Sequence, residues 1–304
     1  MVRKRFCWKL KSRELLLGER TLIMGILNVT PDSFSDGGKY LDPDRAFARA
    51  LELEQQGADI IDIGAESTRP GSTRISEEEE LARLVPVLKR LRGRLAVPIS
   101  VDTYKARVAE RALQLGAEII NDPSGLTFDP AILRVVVKHD AGLIINHMRG
   151  TPETWDKLAP LPDVMGAIIK DLEARVHRAQ LAGLDKERIV IDPGIGFGKR
   201  GQQNSEILAR LEELAQLGYP ILVGPSRKSF LGQTTDLGKL FGTAAAVTAA
   251  ILGGAHIVRV HDVQEMLPVV QVADAILEAA TQFEERRLAA QTAAHPTPRR
   301  RRRS

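Results

Sequence analysis

The amino-acid sequence predicts a parallel (β/α)8 barrel, and three observations carry that prediction. Short apolar runs rich in valine and isoleucine alternate eight times with stretches of helical apolar spacing. The runs are nearly continuous in hydrophobicity, which is typical of strands buried on both faces of a parallel sheet. Almost every run stops on a polar residue, and in this barrel all strand C-termini meet on one face. A doubly wound open sheet is the alternative architecture.

The predicted strands follow one another in short intervals, and eight of them in a little over 260 residues suit a barrel with few insertions. They are Leu22–Val29, Asp59–Ala65, Pro98–Val101, Glu118–Asn121, Gly142–Asn146, Arg188–Ile191, Pro220–Val223 and Ala255–Val260. The polar residues at or after their ends are Asn28, Glu66, Asp102, Asn121, His147, Asp192, Lys228, Arg259 and His261. Convergence of the strand ends would gather these side chains into one site.

Helical spacing fills the intervals between the strands, and several of these stretches end at a glycine in the C′ position. Asp42 is placed to cap the first of them. The predicted helices are Pro43–Gln56, Glu77–Arg92, Tyr104–Leu115, Pro130–His139, Val164–Ala182, Ser205–Leu217, Thr243–Leu252 and Val263–Glu285. Strand–helix alternation with short links implies right-handed crossovers.

Both ends of the chain lie outside the predicted barrel of residues 22–285. In the extension of residues 1–21, Arg13–Leu17, turning at Gly18, is predicted to form a short hairpin that covers the bottom of the barrel. From Arg286 the helical pattern decays into Ala, Pro and Arg, so residues 286–304 are predicted to be a disordered, arginine-rich tail.

Composition indicates a soluble cytoplasmic protein with no membrane partner. The chain is 43% hydrophobic and 27% charged, and the single Cys7 excludes an internal disulfide. Met1–Lys11 is basic, but no signal-type apolar region follows it, and no apolar run approaches about 18 residues. Arg299–Arg303 supply five of the 43 positive charges against 39 negative ones, so the rest of the chain is at −1. No specific nucleic-acid binding is therefore expected.

Two polar loops follow the first two predicted strands. Asn28–Gly38 is longer and more acidic than a strand-to-helix link requires, which favours a functional loop over a capping connection. Glu66–Arg74 places two arginines and further hydroxyls over the same face. Arginine forks suit phosphate oxygens, and a solvated turn is the alternative for this second loop.

Three later motifs complete the face. Asp192–Lys199 has glycines spaced G-x-G-x-G, which fits neither a dinucleotide fingerprint nor a P-loop, so the glycines are interpreted as letting the backbone pass close to a flat ligand. Gly224–Ser229 puts two cations beside two hydroxyls, near the region where such barrels often bind phosphate. In the last strand, alternation points Arg259 and His261 the same way.

Acid and amide groups facing cations across one barrel mouth suggest a substrate with two poles, a donor-rich planar ring and a polyanion. Asp102, Asn121 and Asp192 end three different strands, and a buried carboxylate is costly unless it is paired or binds a donor. The alternative is that these acids form salt bridges with Lys228 or Arg259.

In order and spacing these motifs resemble the dihydropteroate synthase family over roughly residues 20–280. The resemblance rests on Asn28–Gly38, Glu66–Gly71, Ser100–Thr103, Ile120–Asp122, Asp192–Lys199, Ser226–Ser229 and Arg259–Val263. It implies a transferase that condenses 6-hydroxymethyl-7,8-dihydropterin diphosphate with 4-aminobenzoate, uses Mg²⁺, and is typically a homodimer.

Position by position, the resemblance assigns a role to each residue. The pterin contacts would be Asp102, Asn121, Asp192, Phe197 and Lys228. The diphosphate contacts would be Asn28, Thr68, Arg69, Arg259 and His261, with Asn28 also the magnesium ligand. The aminobenzoate contacts would be Phe34, Pro70, Lys228 and Ser229. The residues expected to act in catalysis would be Asp36, Arg69, Lys228, Arg259 and His261.

Three positions depart from the family pattern. Asn146 stands where a methionine is common, Pro123 where a β-branched residue is usual, and Ala65 where many members have glycine. A buried amide at Asn146 needs hydrogen-bond partners. A pterin-binding methyltransferase and a non-catalytic pterin-binding paralogue remain as alternative functions.

Overall fold

The computed structural model describes residues 3–30, 42–67 and 72–294, and of residues 288–294 it describes only the backbone. In this part of the chain eight parallel strands form one sheet, and helices follow them on its outer side. A parallel bridge between Ile191 and Ile221 joins the two ends of the sheet. The architecture is thus the predicted (β/α)8 barrel.

The barrel strands agree with the predicted ones to within two residues at either end. A two-stranded hairpin of β1 (Phe6–Lys9) and β2 (Glu14–Leu17) precedes them. The barrel strands are β3 (Leu22–Asn28), β4 (Ile60–Gly64), β5 (Ile99–Asp102), β6 (Ile119–Asp122), β7 (Gly142–Asn146), β8 (Ile189–Asp192), β9 (Leu222–Val223) and β10 (Ile257–Val260).

The described α-helices are α1 (Pro43–Gln55), α2 (Glu77–Leu91), α3 (Ala106–Gln114), α4 (Ile132–Lys138), α5 (Val164–Leu181), α6 (Gln203–Ala209), α7 (Asp236–Leu252) and α8 (Val263–Ala294). Asp42 caps α1 as predicted, accepting from the Asp44 and Arg45 amides. The main hydrophobic core lies between the strands and these helices.

Helix boundaries differ from prediction in three places. The stretch predicted as one helix from Ser205 is α6 followed by a 3-10 turn, Leu211–Leu217. Helix α7 begins seven residues before the predicted Thr243, since Thr235 caps it by accepting from the Gly238 amide. Helix α8 runs to Ala294, so residues 286–294 are helical rather than disordered. Alanine and long straight-chain residues dominate that segment, and they propagate a helix well.

The N-terminal hairpin closes the bottom of the barrel, as predicted. Its turn lies between the strands, where the Leu10 amide donates to the Arg13 carbonyl, and not at Gly18. Trp8 is fully buried, and its indole N–H donates to the Arg188 carbonyl at 3.0 Å. A Cβ at Gly142 would stand 2.5 Å from Leu10 Cδ2, so only glycine lets the hairpin approach so closely. The hairpin packs on interior side chains from seven of the eight barrel strands, all but β5. These side chains are Leu22, Met24, Ile60, Ile119, Ile144, Val190, Leu222 and Ile257.

A buried histidine ties the N-terminal segment to the barrel. His256 Nδ1 accepts from the Ile221 amide at 3.1 Å, so the proton lies on Nε2, which donates to the Lys4 carbonyl at 2.9 Å. Burial lowers the pKa of His256 to about 4, and the nearby charge of Arg3 acts in the same direction. The folded protein therefore contains a neutral imidazole.

This histidine is expected to make folding sensitive to mild acid. The unfolded state takes up a proton near pH 6.5 and the folded state only near pH 4, so stability is complete above pH 6.5 and falls as pH drops towards 4. The loss is about 3 kcal/mol. Denaturant unfolding from pH 4 to 8 should show a shallower pH dependence for His256→Gln than for wild type. His177→Gln, at an exposed position, is the control, and equal slopes in all three proteins would contradict the assignment.

No helix among the described residues combines the length and the apolar character needed to cross a membrane. Residues 295–304, which include the arginine run, lie outside the described residues.

Candidate active site

The C-terminal strand ends meet at one mouth of the barrel, as the sequence predicted. Register places Asn28, Gly64, Asp102 and Asn121 side by side on β3 to β6. Asp192 ends β8 on the other side of the mouth. Parallel strands bring these polar groups to one level, where a single ligand can touch several of them.

An arginine links Asp102, at this level, to Asp62, which lies two positions before Gly64 on β4. Arg259 Nε donates to Asp62 Oδ2 at 2.6 Å, and Nη2 donates to Asp102 Oδ2 at 2.9 Å. Asn121 Nδ2 adds a bond to the same Asp62 oxygen at 3.1 Å. The salt-bridging alternative therefore holds for Asp102 and Arg259. The remaining guanidinium nitrogen, Nη1, takes part in neither bond.

Asp62 is the main site residue that the sequence reasoning missed. It is fully buried in the middle of β4, on the interior side with Ile60 and Gly64. Its signal in the sequence is a single carboxylate inside an apolar run, and not a polar residue at the end of a strand. Because it accepts from Arg259, this carboxylate fixes the direction of the guanidinium.

Electrostatics differ between the acids of the mouth. Burial raises the pKa of Asp102 to about 7, although the charge of Arg259 opposes the shift. Burial also raises the pKa of Asp192, with Lys228 the largest opposing charge. Burial lowers the pKa of Lys228 to about 8, and Asp192 opposes that change. Asp192 and Lys228 thus stabilise each other's charged forms.

Lys228 and Phe197 lie together on one side of the mouth. Lys228 Nζ is 4.5 Å from the centre of the Phe197 ring and donates to the Ile195 carbonyl. Trp155 packs its ring edge against Phe197 with 5.4 Å between ring centres. An aromatic face beside a cation and a carboxylate suits a flat heterocycle with donors and acceptors on its edge.

The glycine-rich loop after β8 folds around its own lysine. Lys199 Nζ donates to the carbonyls of His147, Pro193 and Gly194 at 2.5, 2.8 and 2.7 Å. Gly194 has φ +68°, and a Cβ there would lie 2.0 Å from the His147 carbonyl oxygen. Gly194 therefore lets the loop approach the protein's own backbone. The sequence interpretation had assigned these glycines only to close approach of a flat ligand.

The loop after β9 separates its two cations. Arg227 pairs with Asp262 through Nε at 2.8 Å and through Nη2, so of the two only Lys228 reaches into the mouth. Ser226 Oγ lies 2.9 Å from His261 Nδ1 and accepts from the His261 amide, which orients the imidazole. Ser229, expected at the aminobenzoate pocket, is exposed at the rim.

Asn146 and Pro123, two of the positions that depart from the family pattern, contact each other. Asn146 Nδ2 donates to the Pro123 carbonyl at 2.7 Å, and the residue is buried. This bond supplies one of the partners that a buried amide needs. The Oδ1 atom of Asn146 has no hydrogen-bond partner among the described residues. Five predicted site residues cannot be placed, because they lie outside the described residues: Phe34, Asp36, Thr68, Arg69 and Pro70.

Comparison with known proteins agrees with this geometry. A model of the pterin-binding enzymes matches residues 24–261. The dihydropteroate synthase of Synechocystis sp. is 49% identical over 263 residues, which cover 85% of this chain and 91% of that protein. The chain belongs to the dihydropteroate synthase family. It is accordingly a transferase of folate synthesis, as the sequence predicted.

Solved structures of the family share the fold. The dihydropteroate synthase of Clostridium difficile, determined in the presence of pteroic acid, is 48% identical with a TM-score of 0.80, over 86% of this chain and 98% of that one. The Xanthomonas albilineans synthase in complex with 7,8-dihydropteroate is 38% identical with a TM-score of 0.79, over 89% and 98%. These likenesses favour the synthase over the methyltransferase alternative.

Proposed function

We propose that the barrel mouth joins 6-hydroxymethyl-7,8-dihydropterin diphosphate to 4-aminobenzoate, releasing diphosphate and 7,8-dihydropteroate. The observation that carries the proposal is the pairing of two kinds of polar group in one mouth. Asp102, Asn121 and Asp192 would accept from a donor-rich ring, while Arg259 and His261 would bind an anion. Structures of relatives with pteroic acid and 7,8-dihydropteroate support this assignment.

The pterin would bind between Phe197 and the acids. Asp192 Oδ1 already accepts from the Gly194 amide at 2.7 Å, which leaves Oδ2 for the ring's amino group and adjacent N–H. Lys228 would donate to ring acceptors. Asp102 and Asn121 would complete the set from β5 and β6, because their side chains end neighbouring strands.

The diphosphate would lie at the opposite pole. Arg259 Nη1 and the imidazole of His261 would bind its oxygens, and Thr68 and Arg69 would add donors from the second loop. Leaving-group charge grows as the carbon–oxygen bond breaks, so these donors would stabilise the transition state more than the bound substrate. The electron-rich dihydropterin would spread the positive charge, with Asp36 as a further stabilising carboxylate.

The residues at β3 and β4 fit a magnesium ion. A Cβ at Gly64 would stand 3.9 Å from Asn28 Oδ1 and 3.8 Å from Asp102 Oδ2, so glycine keeps the space between these oxygens free of side-chain atoms. Mg²⁺ prefers oxygen ligands and often takes only one or two from the protein, with phosphates and water supplying the rest. Asn28 would hold the ion, which would offset charge on the departing diphosphate.

The amine would attack from the rim. Phe34, Pro70, Lys228 and Ser229 would form the aminobenzoate pocket, and the aniline nitrogen would form the new carbon–nitrogen bond and then lose a proton. A carbocation-like centre reacts readily with water, so exclusion of water by the two loops would favour the amine. No nucleophilic side chain is needed.

Product formation by the purified protein tests this function. We expect dihydropteroate only when the pterin diphosphate, magnesium and 4-aminobenzoate are all present, and weak aminobenzoate binding until diphosphate is added. Chromatographic detection of dihydropteroate, with each component omitted in turn, tests the requirement for all three components. Calorimetry with and without diphosphate measures the affinity for 4-aminobenzoate. Absence of product from the complete mixture would refute the proposal.

A homodimer is proposed from the apolar outer faces of α7 and α8, which pack against each other. Helix α7 exposes Leu237 and Phe241, one turn apart, and α8 exposes Val272, Ile276 and Phe283 at helical spacing. Phe241 and Phe283 are 65% and 63% exposed. A soluble monomer rarely exposes so many large apolar side chains on two packed helices, and a two-fold contact would cover them in both copies at once.

Replacing Phe241 by glutamate should therefore shift the protein from dimer to monomer. Light scattering after gel filtration gives the mass directly. Leu181→Glu, which changes a leucine on α5 that is 76% exposed, is the control and should leave the mass unchanged. A monomeric wild type would contradict the proposal. The cytoplasmic location and the lack of specific nucleic-acid binding stay predictions.

A further inference from the structure

The ammonium of Lys199 is fully used within the protein. It donates to three backbone carbonyls, those of His147, Pro193 and Gly194, at 2.5, 2.8 and 2.7 Å. The residue is buried, with 6% of its surface exposed. A lysine ammonium has three N–H donors and no acceptor, so three carbonyls leave none of them for a ligand. Lys199 can therefore affect a ligand only through the backbone that it holds.

The three carbonyls favour the charged form of this side chain. Burial lowers the pKa of Lys199, and the charge of Asp192 opposes the shift. A neutral amine would have two N–H groups for three carbonyls and would turn its lone pair towards the third. A buried cation is costly unless its donors are satisfied, so the carbonyls have to stay around the ammonium. The loop after β8 is thus restricted to conformations that surround this one group.

Gly194 connects the held backbone to two side chains of the mouth. Its carbonyl, which accepts from Lys199, also accepts from the Phe197 amide at 3.0 Å. Its amide donates to Asp192 Oδ1 at 2.7 Å. One residue therefore joins the ammonium to the carboxylate of Asp192 and to the backbone that carries the Phe197 ring.

Lys228 lies against the same loop. Its Nζ donates to the Ile195 carbonyl and lies 4.5 Å from the centre of the Phe197 ring. A Cβ at Gly196 would stand 3.0 Å from Lys228 Cδ, so the loop backbone runs close along this side chain. A shift of the loop would therefore change the surroundings of Lys228 as well as the direction of the Asp192 carboxylate.

A second side chain holds the far part of the loop. Asn204 Oδ1 accepts from the Gly196 amide at 2.7 Å, and Nδ2 donates to the Lys199 carbonyl at 3.1 Å. Neither bond reaches the two loop carbonyls that accept from the ammonium. The part of the loop beside Asp192 is therefore held by the Lys199 side chain, and the part beyond it by Asn204.

We propose that Lys199 is a positioning residue for pterin binding, which holds the loop after β8 so that Asp192 and Phe197 present a fixed surface to the flat ring. The inference rests on the proposed function, because it takes Asp192, Phe197 and Lys228 as contacts of the pterin. It adds a residue that does not touch the substrate. Contacts that are ordered before binding lose less conformational entropy when the ligand arrives.

Three variants separate positioning from stability. Lys199→Met removes the ammonium and keeps an unbranched side chain. Lys199→Gln keeps two N–H donors on a shorter neutral side chain, and gives the same comparison with a smaller loss of stability. Arg3→Met is the matched control, because Arg3 is a cation with 9% exposure that donates to the Gly18 and Ala255 carbonyls at the opposite end of the barrel. Melting temperature and calorimetric affinity for 6-hydroxymethyl-7,8-dihydropterin, which lacks diphosphate, are measured for each.

We expect the pterin Kd of Lys199→Met to rise by about tenfold, because the carboxylate and the ring then have to be ordered on binding. Lys199→Gln should show a smaller rise. Arg3→Met should have a lower melting temperature than wild type and a Kd within about twofold of it. An unchanged Kd in both Lys199 variants, or an equal rise in Arg3→Met, overturns the inference.

A double variant tests whether Lys199 acts through Asp192. If it does, Lys199→Met together with Asp192→Asn should weaken pterin binding by less than the product of the two separate effects. A full product would show that the two residues act independently, and would overturn the inference.

Failure of the proposed function would be seen separately. A wild-type protein that forms no dihydropteroate from the complete mixture would refute the proposed reaction. The pterin affinities of the variants require no turnover, so they still decide the role of Lys199.

Discussion

Replacing Asp192 by asparagine is expected to weaken pterin binding by about a hundredfold, which corresponds to roughly 3 kcal/mol. The amide oxygen can keep the bond from the Gly194 amide, which turns the NH2 group towards the ligand. A donor then faces the ring's own donors, and a charge-assisted bond is lost. Calorimetry with a pterin that lacks diphosphate measures the effect.

The loss of this carboxylate should also change its neighbour. Asp192 is the largest influence holding up the pKa of Lys228, so its neutralisation should lower that pKa below about 8. Asp185→Asn, an exposed acid shortly before β8, is the matched control and should bind pterin as wild type does. An unchanged Kd in Asp192→Asn would remove Asp192 from the site.

Replacing Arg259 by alanine is expected to reduce both turnover and stability. The change removes a cation facing the leaving group, which should lower kcat/KM by about a hundredfold. It also leaves the carboxylates of Asp62 and Asp102 without their cationic partner, and breaking a buried ion pair costs about 3–5 kcal/mol. Steady-state kinetics and denaturant unfolding measure the two losses.

The pH dependence gives a second measure of the same variant. Arg259 lowers the pKa of Asp102, so without the arginine that pKa should rise above about 7. Pterin affinity should then be low at pH 7 and recover as the pH rises and Asp102 ionises. Arg227→Ala, which breaks the Asp262 pair at the rim, should show neither change. A stable Arg259→Ala protein with an unshifted pH profile would show that the buried pairs contribute little.

The strands were predictable because both faces of each are buried. Runs of valine and isoleucine leave few alternatives, and the polar residue after each run marks the mouth. Asn28, Asp102, Asn121 and Asp192 were found in that way, and the structure gathers them at one end of the barrel. The resemblance to a family then added roles that spacing alone could not supply.

Side-chain partners were not predictable from the same pattern. Sequence order cannot show that Arg259 reaches Asp62, which lies 197 positions earlier, or that Lys199 serves three backbone carbonyls. Helix α7 begins seven residues before the predicted Thr243, because Thr235 accepts from the Gly238 amide and so caps it. Gly238 and Gly242 lie in its first turns, where the cap outweighs their low helix propensity.

The hairpin at the bottom of the barrel has a consequence for the order in which the chain folds during synthesis. Arg3 bonds to Thr21, to the Ala255 carbonyl and to Asp274, so the first described residue meets partners more than 250 positions later. A ribosome releases residue 3 long before residue 274. The N-terminal segment can therefore make these bonds only after β10 and α8 have been synthesised. The bottom of the barrel is closed only when nearly the whole chain has emerged.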